Sequence, residues 1–388
     1  MKKILIVLGT RPEAIKLAPF IIKSKLDSSF KVKVCSTGQH REMLTSILNF
    51  FEIRPDYDLN LMKPQQSLTD ISVGAMIGLS NILSKEKFDA VVVQGDTTTS
   101  FIASLVAFYN KVEVVHIEAG LRTGDIHSPF PEEFNRKAIS LVSKLHFAPT
   151  ELSKQNLIRE HYLEDSIFVT GNTGIDALFE VKKRIFDNEN ILNEMKAQFS
   201  FLNPNKKLIL VTVHRRESFG AALEEVMHGL VELSRRDDIE ILIPLHMNPQ
   251  VRDSAKAVLT QVARWAPNKA SADKNSTSRI WLTEPLDYVP FIYLMDRAHL
   301  IITDSGGVQE EAPSLGKPVL IAREKTERPE AIEAGTSALI QLQRQAFVKK
   351  VCDLLDNQNI YIKMSQSKNP FGDGFACEKI LKILATRL

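Results

Sequence analysis

Residues 3–26, KILIVLGTRPEAIKLAPFIIKSKL, decide the fold class. The apolar run before Gly9 predicts a buried strand. Gly9 then allows a tight turn, and Pro12 suits the first turn of a helix. The segment after Pro12 carries apolar residues at helical spacing. The stretch therefore predicts a strand, a turn and a helix, which is the repeating unit of a parallel α/β sheet.

The same alternation recurs along the chain. Buried strands are predicted in the first half at KVKVCSTG, DAVVVQGD, VEVVHIEAG and LHFAPT, and in the second half at KLILVTVH, IEILIPLH, RIWLTEP, LIITDS and KPVLIA. Two such series predict two doubly wound Rossmann-like domains that face a cleft, with a boundary near residues 166–178. The final segment, GFACEKILKILATRL, has the apolar pattern of a helix that docks on a domain.

Composition excludes several classes of protein. The chain has 388 residues, and 49 Lys and Arg against 47 Asp and Glu leave a net charge of +2. This balance offers no broad basic surface, so we predict no nucleic-acid partner. No apolar run approaches the ~18 residues of a membrane span, so we predict no membrane association. Three scattered cysteines, Cys35, Cys352 and Cys377, without a CxxC motif indicate reduced thiols and a cytoplasmic protein.

Acidic side chains follow the predicted strands, where open α/β sheets bind their ligands. Asp96 and Glu118 each end an apolar strand, and Glu132 begins a helix shortly afterwards. Helix capping is the alternative interpretation for Asp96, and a contact with the helix dipole is the alternative for Glu132. Cationic residues accompany these acids in the same motifs, namely Arg11, Lys16 and Arg136.

A second group of residues predicts a phosphate site. Ser305, Gly306 and Gly307 follow a buried strand and precede a helix, so bare backbone N–H groups face any anion bound there. Glu311, one turn later, has the chemistry to accept hydrogen bonds from a ribose diol. A plain tight turn is the alternative interpretation. Two further cationic or titratable residues flank this group in the sequence motifs, His214 and Arg328.

Several catalytic motifs are absent from the sequence. No GxGxxG follows a strand and no GxxxxGK[ST] occurs, which leaves a nicotinamide cofactor and a P-loop unsupported. The HxE of His116 and Glu118 is not followed by PCxxC, so the zinc-deaminase signature is incomplete. The DxD of Asp56-Tyr57-Asp58 lies in a polar stretch that predicts a solvated loop. We therefore predict no cofactor and no metal ion.

Long motifs in order along the chain resemble the non-hydrolysing UDP-N-acetylglucosamine 2-epimerases: GTRPEAIKLAP, QHREML, GDTTT, HIEAGLRTGD, SPFPEEFNR, HRRESFG and TDSGGVQEEAPSLGKPVL. The resemblance implies a GT-B-like fold. Residues 1–172, completed by a C-terminal helix at residues 373–388, would form the first domain, and residues 173–372 the UDP-binding domain. It also implies reversible conversion of UDP-N-acetylglucosamine into UDP-N-acetylmannosamine for surface polysaccharide synthesis.

The resemblance assigns roles to individual residues. It implies that the catalytic residues are Asp96, Glu118, Glu132 and His214. It implies that the substrate is bound by Arg11, Lys16, Arg136, Phe291, Ser305, Gly306, Gly307, Glu311 and Arg328. A second, activating UDP-N-acetylglucosamine would contact Gln39, His40, Arg215 and His246, and the chain would form a homodimer. Leu286 departs from the family, because it replaces a glutamine expected beside the uracil.

The chemistry of the reaction favours elimination. The second sugar carbon has no neighbouring carbonyl, and an oxidative route would need the nicotinamide motif that the sequence lacks. Expelling UDP first builds positive charge next to that carbon and acidifies its C–H bond. Three alternatives stay open: a hydrolysing epimerase, a GT-B glycosyltransferase and a non-catalytic nucleotide-sugar sensor. Which carboxylate removes the proton also stays open.

Overall fold

The computed structural model describes residues 1–38, 41–62, 66–214, 220–266 and 278–388, without the side chains of residues 41–43. The chain forms two compact units. The first comprises Met1–Phe179 and Phe371–Leu388, and the second comprises Glu180–Pro370. Each unit contains one seven-stranded sheet in which all the paired strands run parallel, with helices between the strands. The predicted α/β class with two doubly wound Rossmann-like sheets is confirmed.

The first unit alternates strands and helices. Its strands are β1 (Lys2–Leu8), β2 (Phe30–Ser36), β3 (Tyr57–Asp58), β4 (Ala90–Gln94), β5 (Glu113–Ile117), β6 (Ser143–Ala148) and β7 (Ile167–Val169). Its helices are α1 (Arg11–Leu26), α2 (Arg41–Phe50), α3 (Leu68–Lys85), α4 (Thr98–Tyr109), α5 (Glu132–Val142) and α6 (Glu151–Arg159), with a short 3-10 turn at Glu164–Ser166. The next helix, α7 (Thr173–Asp187), begins in this unit and ends in the second.

The second unit repeats the pattern. Helix α8 (Glu189–Gln198) leads into the strands β8 (Lys207–Thr212), β9 (Ile239–Pro244), β10 (Ala263–Trp265), β11 (Ile280–Thr283), β12 (Leu300–Thr303), β13 (Val319–Ile321) and β14 (Ser337–Leu339). The helices are α9 (Ala221–Leu233), α10 (Pro249–Leu259), α11 (Tyr288–Arg297), α12 (Gly306–Glu311), α13 (Pro329–Glu333), α14 (Arg344–Asp356) and α15 (Gln358–Ser365), with a 3-10 turn at Ala312–Leu315. The last helix, α16 (Ala376–Arg387), belongs to the first unit.

Each sheet has a switch point, where later strands are added on the opposite side of its first strand. In the second sheet the order is also reversed at one edge, because β11 lies between β9 and β10. The order in the first sheet is β3-β2-β1-β4-β5-β6-β7, so the direction changes between β1 and β4. The order in the second sheet is β10-β11-β9-β8-β12-β13-β14, and the change falls between β8 and β12. Successive crossovers leave opposite sides of the sheet at such a point, which opens a crevice beyond the carboxyl ends of the strands.

Burial and capping explain why the first strand and helix form. Residues Ile4 to Leu8 of β1 are fully buried, as expected for a central parallel strand. Thr10 caps α1 and forms a reciprocal capping box with Glu13, and Pro12 lies in the first turn. The turn at Gly9 is too crowded for a side chain, because a Cβ there would collide with the hydroxyl groups of Thr37 and Thr99.

The C-terminal helix packs on the first unit, as predicted. The Asp176 carboxylate of α7 accepts hydrogen bonds from the backbone N–H groups of Ala376 (3.1 Å) and Cys377 (2.9 Å), so it caps α16 from another helix. Lys23 of α1 forms an ion pair with Glu378 at 3.0 Å. The apolar face of α16 is buried, including Ile380 and Leu384.

The DxD stretch differs from its prediction. Tyr57 and Asp58 form an edge strand that pairs with β2, rather than a solvated loop. The Asp56 carboxylate accepts a hydrogen bond from the Val34 N–H (2.9 Å) and pairs with Lys33 Nζ (2.7 Å). The loop part of the prediction was wrong because the backbone of Tyr57 and Asp58 pairs with the edge of β2. Asp56 and Asp58 are nevertheless exposed, as predicted for a solvated stretch. Within the described ranges, no helix is long and apolar enough to cross a membrane.

Candidate active site

The switch point of the first sheet contains a cavity of about 360 Å³. Its lining includes four of the predicted site residues, Lys16, Asp96, Glu118 and Glu132. They arrive from α1, from the ends of β4 and β5, and from the first turn of α5. Arg11 begins α1 and is partly buried, but it is not among the described residues that line this cavity. The fold therefore gathers an ammonium group and three carboxylates from distant parts of the sequence.

Glu118 is held at the end of β5 in an unusual backbone conformation. Its φ of 65° lies in the left-handed region, which a non-glycine residue adopts at a cost. The Lys16 ammonium donates to Glu118 Oε2 at 2.5 Å, and Gln94 Nε2 donates to the same oxygen at 3.0 Å. Only 8% of the Glu118 side chain is exposed. The carboxylate is therefore largely desolvated and oriented by two donors.

Asp96 is held by α5. The guanidinium of Arg136 donates to Asp96 Oδ2 through Nε at 3.0 Å and also through Nη2. Asn135 Nδ2 donates to the backbone carbonyl of Asp96 at 2.9 Å. The side chain and the backbone of Asp96 thus each have a partner on the same helix, which also carries Glu132.

Two buried carboxylates that the sequence analysis did not single out support this arrangement. Glu13 accepts hydrogen bonds from Gly9 N and from both Thr10 N and Oγ1 with one oxygen, and from Thr97 Oγ1 (2.6 Å) and Ser100 Oγ (2.8 Å) with the other. Burial raises the pKa of Glu13, and these hydrogen bonds oppose the rise. Glu13 ties the β1–α1 turn to the β4–α4 turn.

Glu133 similarly ties the first turn of α5 to the loop that follows β5. It is fully buried and accepts from Thr123 N at 3.1 Å and from Arg136 Nη1 at 3.1 Å. The sequence offered a signal for Glu13, because Thr10-x-x-Glu13 has capping-box spacing. It offered none for Glu133, because two adjacent acids in a first turn do not reveal which of them is buried.

The switch point of the second sheet holds His214. The carboxylate of Asp304, at the end of β12, accepts a hydrogen bond from His214 N at 2.6 Å, and its other oxygen lies 3.2 Å from His214 Nδ1. Asp304 is fully buried, whereas a third of the His214 side chain is exposed. The ring of His246 stacks on that of His214 with centroids 4.9 Å apart. The imidazole of His214 is thereby oriented by the Asp304 carboxylate and by the stacked ring of His246.

Ser305 follows Asp304 and precedes α12, whose first turn begins with Gly306 and Gly307, so no side chain covers the backbone of these two residues. Ser305 N donates to Thr303 Oγ1 at 3.0 Å. A Cβ on Gly307 would meet open space, and a Cβ on Gly306 would lie 3.6 Å from Arg328 Nη2. Arg328 is itself paired with Glu310 on α12. The guanidinium is therefore beside the turn and fixed there.

Glu311 and Phe291 lie on neighbouring helices of this unit. Tyr288 Oη, in the first turn of α11, donates to Glu311 Oε1 at 3.0 Å. Phe291 is in the same first turn and is partly buried. Sequence reasoning missed Asp304 and Tyr288, since each is recognisable only by the side chain it contacts.

Of the four residues predicted to contact a second ligand, the structure describes His246. Gln39, His40 and Arg215 lie outside the described residues. His246 is exposed after β9, and its Nδ1 accepts a hydrogen bond from Asn248 N at 3.1 Å. In the part of the chain that the structure describes, no group of three or more His, Cys, Asp or Glu residues is placed to hold a metal ion.

Comparisons with known proteins agree on one family. The sequence model of the family described as UDP-N-acetylglucosamine 2-epimerase matches residues 23–385. The UDP-N-acetylglucosamine 2-epimerase of Escherichia coli K12 is 49% identical over 383 residues, with 98% of each chain covered. The Campylobacter jejuni protein of the same name is 47% identical, covering 99% of this chain and 97% of its own.

Solved structures give the same result. The crystal structure of the Neisseria meningitidis UDP-GlcNAc 2-epimerase bound to UDP-GlcNAc has 45% identity and a TM-score of 0.86, covering 98% of this chain and 99% of its own. The Methanocaldococcus jannaschii enzyme in complex with UDP-GlcNAc and UDP has 34% identity and a TM-score of 0.76, with 98% and 99% covered. The chain therefore belongs to the UDP-N-acetylglucosamine 2-epimerase family.

Proposed function

We propose that this chain interconverts UDP-N-acetylglucosamine and UDP-N-acetylmannosamine by eliminating UDP and adding it back. The observation that carries the proposal is the cavity of the first unit, which brings Lys16, Asp96, Glu118 and Glu132 to the end of one sheet. The names of the E. coli and C. jejuni relatives and the ligand of the N. meningitidis structure support the substrate.

The carboxylates supply what the elimination needs. Departure of UDP gives the sugar oxocarbenium character, which nearby carboxylates stabilise. Loss of the proton from the second carbon then gives an unsaturated 2-acetamido glycal. A proton delivered to the opposite face of that carbon, together with the return of UDP to the anomeric carbon, gives the epimer. We assign Asp96 or Glu118 to one face and Glu132 to the other. Each positioned acid or base contributes roughly 100- to 10,000-fold to the rate.

The ion pairs of the cavity keep the acids in place during the reaction. Lys16 and Gln94 orient Glu118, and Arg136 orients Asp96. The cations Lys16 and Arg136 also offset the negative charge of the three acids, which lowers the cost of binding an anionic substrate in this cavity. Arg11, the first residue of the helix that carries Lys16, would contribute a further positive charge near the same helix end.

The second unit supplies groups suited to UDP. The backbone of Gly306 and Gly307, which no side chain covers, suits a diphosphate, with Ser305 before it and Arg328 beside it. Each well-placed donor stabilises the departing charge by ~3 kcal/mol. Glu311 suits the ribose diol and Phe291 suits the uracil. His214, oriented by Asp304, suits the phosphate nearest the sugar.

The experiment that tests the function identifies the products. Purified protein is incubated with UDP-N-acetylglucosamine, and nucleotide sugars and free sugars are separated by chromatography. We expect UDP-N-acetylmannosamine at equilibrium with the substrate. Stoichiometric release of UDP and N-acetylmannosamine would instead indicate a hydrolysing epimerase, and binding without any product would indicate a sensor. Turnover that requires an acceptor would indicate a glycosyltransferase.

We also propose that the chain is a homodimer in the cytoplasm. Large apolar side chains are exposed on three neighbouring helices of the first unit, including Val73 and Ile77 on α3, Phe108 on α4 and Leu141 on α5. A patch of this kind is characteristic of a protein interface. The three cysteines are free thiols, as in a reducing compartment. Light scattering after size-exclusion chromatography tests the dimer, and Ile77→Asp should give a monomer.

A further inference from the structure

His116 is a buried histidine of β5 that the proposed mechanism does not use. Its side chain is fully buried, and its Nε2 lies 2.7 Å from the carbonyl oxygen of Gly95. A carbonyl oxygen only accepts hydrogen bonds, so Nε2 carries the proton and donates. Burial lowers the pKa of His116 to about 3, and the ring is therefore neutral in any ordinary assay.

The Gly95 peptide is the point where β4 turns towards Asp96. Gly95 has a φ of 69°, in the left-handed region that favours glycine. Its N–H donates to the carbonyl of Ile117 at 2.9 Å, and its carbonyl accepts from His116. Two adjacent residues of β5 therefore hold both polar groups of Gly95. The orientation of the next residue, Asp96, depends on this turn.

A packing role alone does not explain a histidine at this position. Nδ1 of His116 has no hydrogen-bond partner among the residues that the structure describes. Burying the polar ring of histidine costs free energy that an apolar side chain of similar size would not, unless the ring regains a hydrogen bond, as Nε2 does at Gly95. The group that an apolar side chain could not replace is the Nε2–H donor.

The neighbouring strand offers a matched control. His146 of β6 pairs in register with His116 and is also buried. Burial lowers the pKa of His146 to about 4, and its ring contacts Tyr162 at a centroid distance of 5.1 Å. The two histidines share strand position, burial and neutrality, but the hydrogen bond to the Gly95 carbonyl belongs to His116.

We propose that His116 is a positioning residue for Asp96, in that its Nε2–H holds the Gly95 turn that presents the Asp96 carboxylate to the cavity. The role rests on the proposed function, because it requires Asp96 to act on the sugar. A displacement of about 1 Å in a catalytic group can lower a rate ~100-fold. The hydrogen bond is thus expected to affect turnover more than substrate binding.

The experiment compares three variants by epimerase kinetics and thermal melting. His116→Gln keeps an N–H donor at the same number of bonds from Cα as Nε2. His116→Phe keeps the ring shape and removes the donor. His146→Phe measures the effect of replacing a buried histidine that lacks the contact with Gly95. We expect kcat to fall 10- to 100-fold in His116→Phe with KM little changed, and to remain within ~3-fold of the unmodified protein in the other two variants.

The outcomes separate this inference from the proposed function. An inactive unmodified protein overturns the proposed function. An active unmodified protein with full activity in His116→Phe overturns the positioning role alone. Equal losses in His116→Gln and His116→Phe, or a loss that parallels melting temperature and recurs in His146→Phe, also overturn it. If His116→Phe does not fold, His116→Asn replaces it, because its shorter amide does not reach Gly95. Failure of both to fold, with His146→Phe folded, assigns His116 a structural role and overturns the proposal.

Discussion

Each of the two sheets has a switch point beside its first strand, and the residues gathered at the two points differ in chemistry. In the first unit, the residues after the strands are acids held by cations: Lys16 on Glu118, and Arg136 on Asp96. In the second unit, a fully buried acid, Asp304, holds a histidine, and the following turn leaves backbone uncovered.

The difference shows how one architecture is divided between two tasks. The parallel sheet determines only where the strands end and which turns lie side by side. The residues placed in those turns determine whether the site moves protons or holds an anion. On this account the first unit handles the sugar ring and the second handles the diphosphate, so variants in the two units should fail in different ways.

The largest effect is expected for Glu118→Gln. The amide keeps the size of the side chain but neither takes nor delivers a proton, so kcat should fall by ~1,000-fold. UDP affinity, measured by calorimetry, should be unchanged because Glu118 belongs to the first unit. Glu378→Gln, an exposed acid on α16, serves as the control. A large loss of UDP affinity in Glu118→Gln would contradict the assignment of the sugar ring to the first unit and the diphosphate to the second.

Asp304→Asn should have the next largest effect. The amide removes the negative charge beside His214 Nδ1, so the imidazole loses the partner that orients it towards a phosphate. We expect kcat to fall by ~100-fold, comparable to the loss of one donor to a developing negative charge, together with weaker UDP binding. Asp253→Asn on the exposed face of α10 is the control. Normal UDP binding by Asp304→Asn would count against a diphosphate role for His214.

Acid should destabilise the first unit through its buried histidines. The folded pKa of His116, about 3, lies below the unfolded value of 6.5, so the unfolded chain binds more protons between these values. The contribution of neutral His116 to the free energy of unfolding is therefore complete above pH 6.5 and is lost as the pH falls towards 3. Between pH 7 and pH 5, His116→Gln should lose about 2 kcal/mol less stability than the unmodified protein.

Hydrogen exchange provides the measurement for this effect. Both tryptophans, Trp265 and Trp281, belong to the second unit, so tryptophan fluorescence does not report on the first. The exchange rates of the backbone amides in β5 report on the stability of the first unit. If exchange in His116→Gln and in the unmodified protein depended on pH in the same way, burial would not lower the pKa of His116 in the folded protein.

The smallest effect is expected for Gly307→Ala, which separates folding from binding. A Cβ at Gly307 meets open space in the unliganded chain, and alanine favours a helix over glycine, so the melting temperature should be unchanged or higher. A diphosphate against this backbone would meet the added methyl group, and UDP affinity should fall by ~10-fold, or about 1.4 kcal/mol. Unchanged UDP affinity would place the diphosphate elsewhere.

The sequence predicted the fold because its strands are almost wholly apolar and end at glycine or acidic residues. It did not predict β3, β7, β10 or β14, each of which is only two or three residues long and too short to show a pattern. Arg11 and Lys16 were predicted from one motif, yet only Lys16 is among the described residues that line the cavity. The capping box of Glu13 is readable in the sequence, but its contacts with Thr97 and Ser100 are not. The roles of His116 and Asp304 likewise depend on partners from other strands, and no local pattern encodes such contacts.

The most direct test of the account is the reaction of the unmodified protein with UDP-N-acetylglucosamine in heavy water, followed by proton NMR. Elimination and re-addition route the proton at the second sugar carbon through groups that exchange with solvent. We predict UDP-N-acetylmannosamine that carries deuterium at that carbon and no accumulation of free N-acetylmannosamine. Epimer formed with the original hydrogen retained at that carbon would contradict the elimination and the role of the three carboxylates.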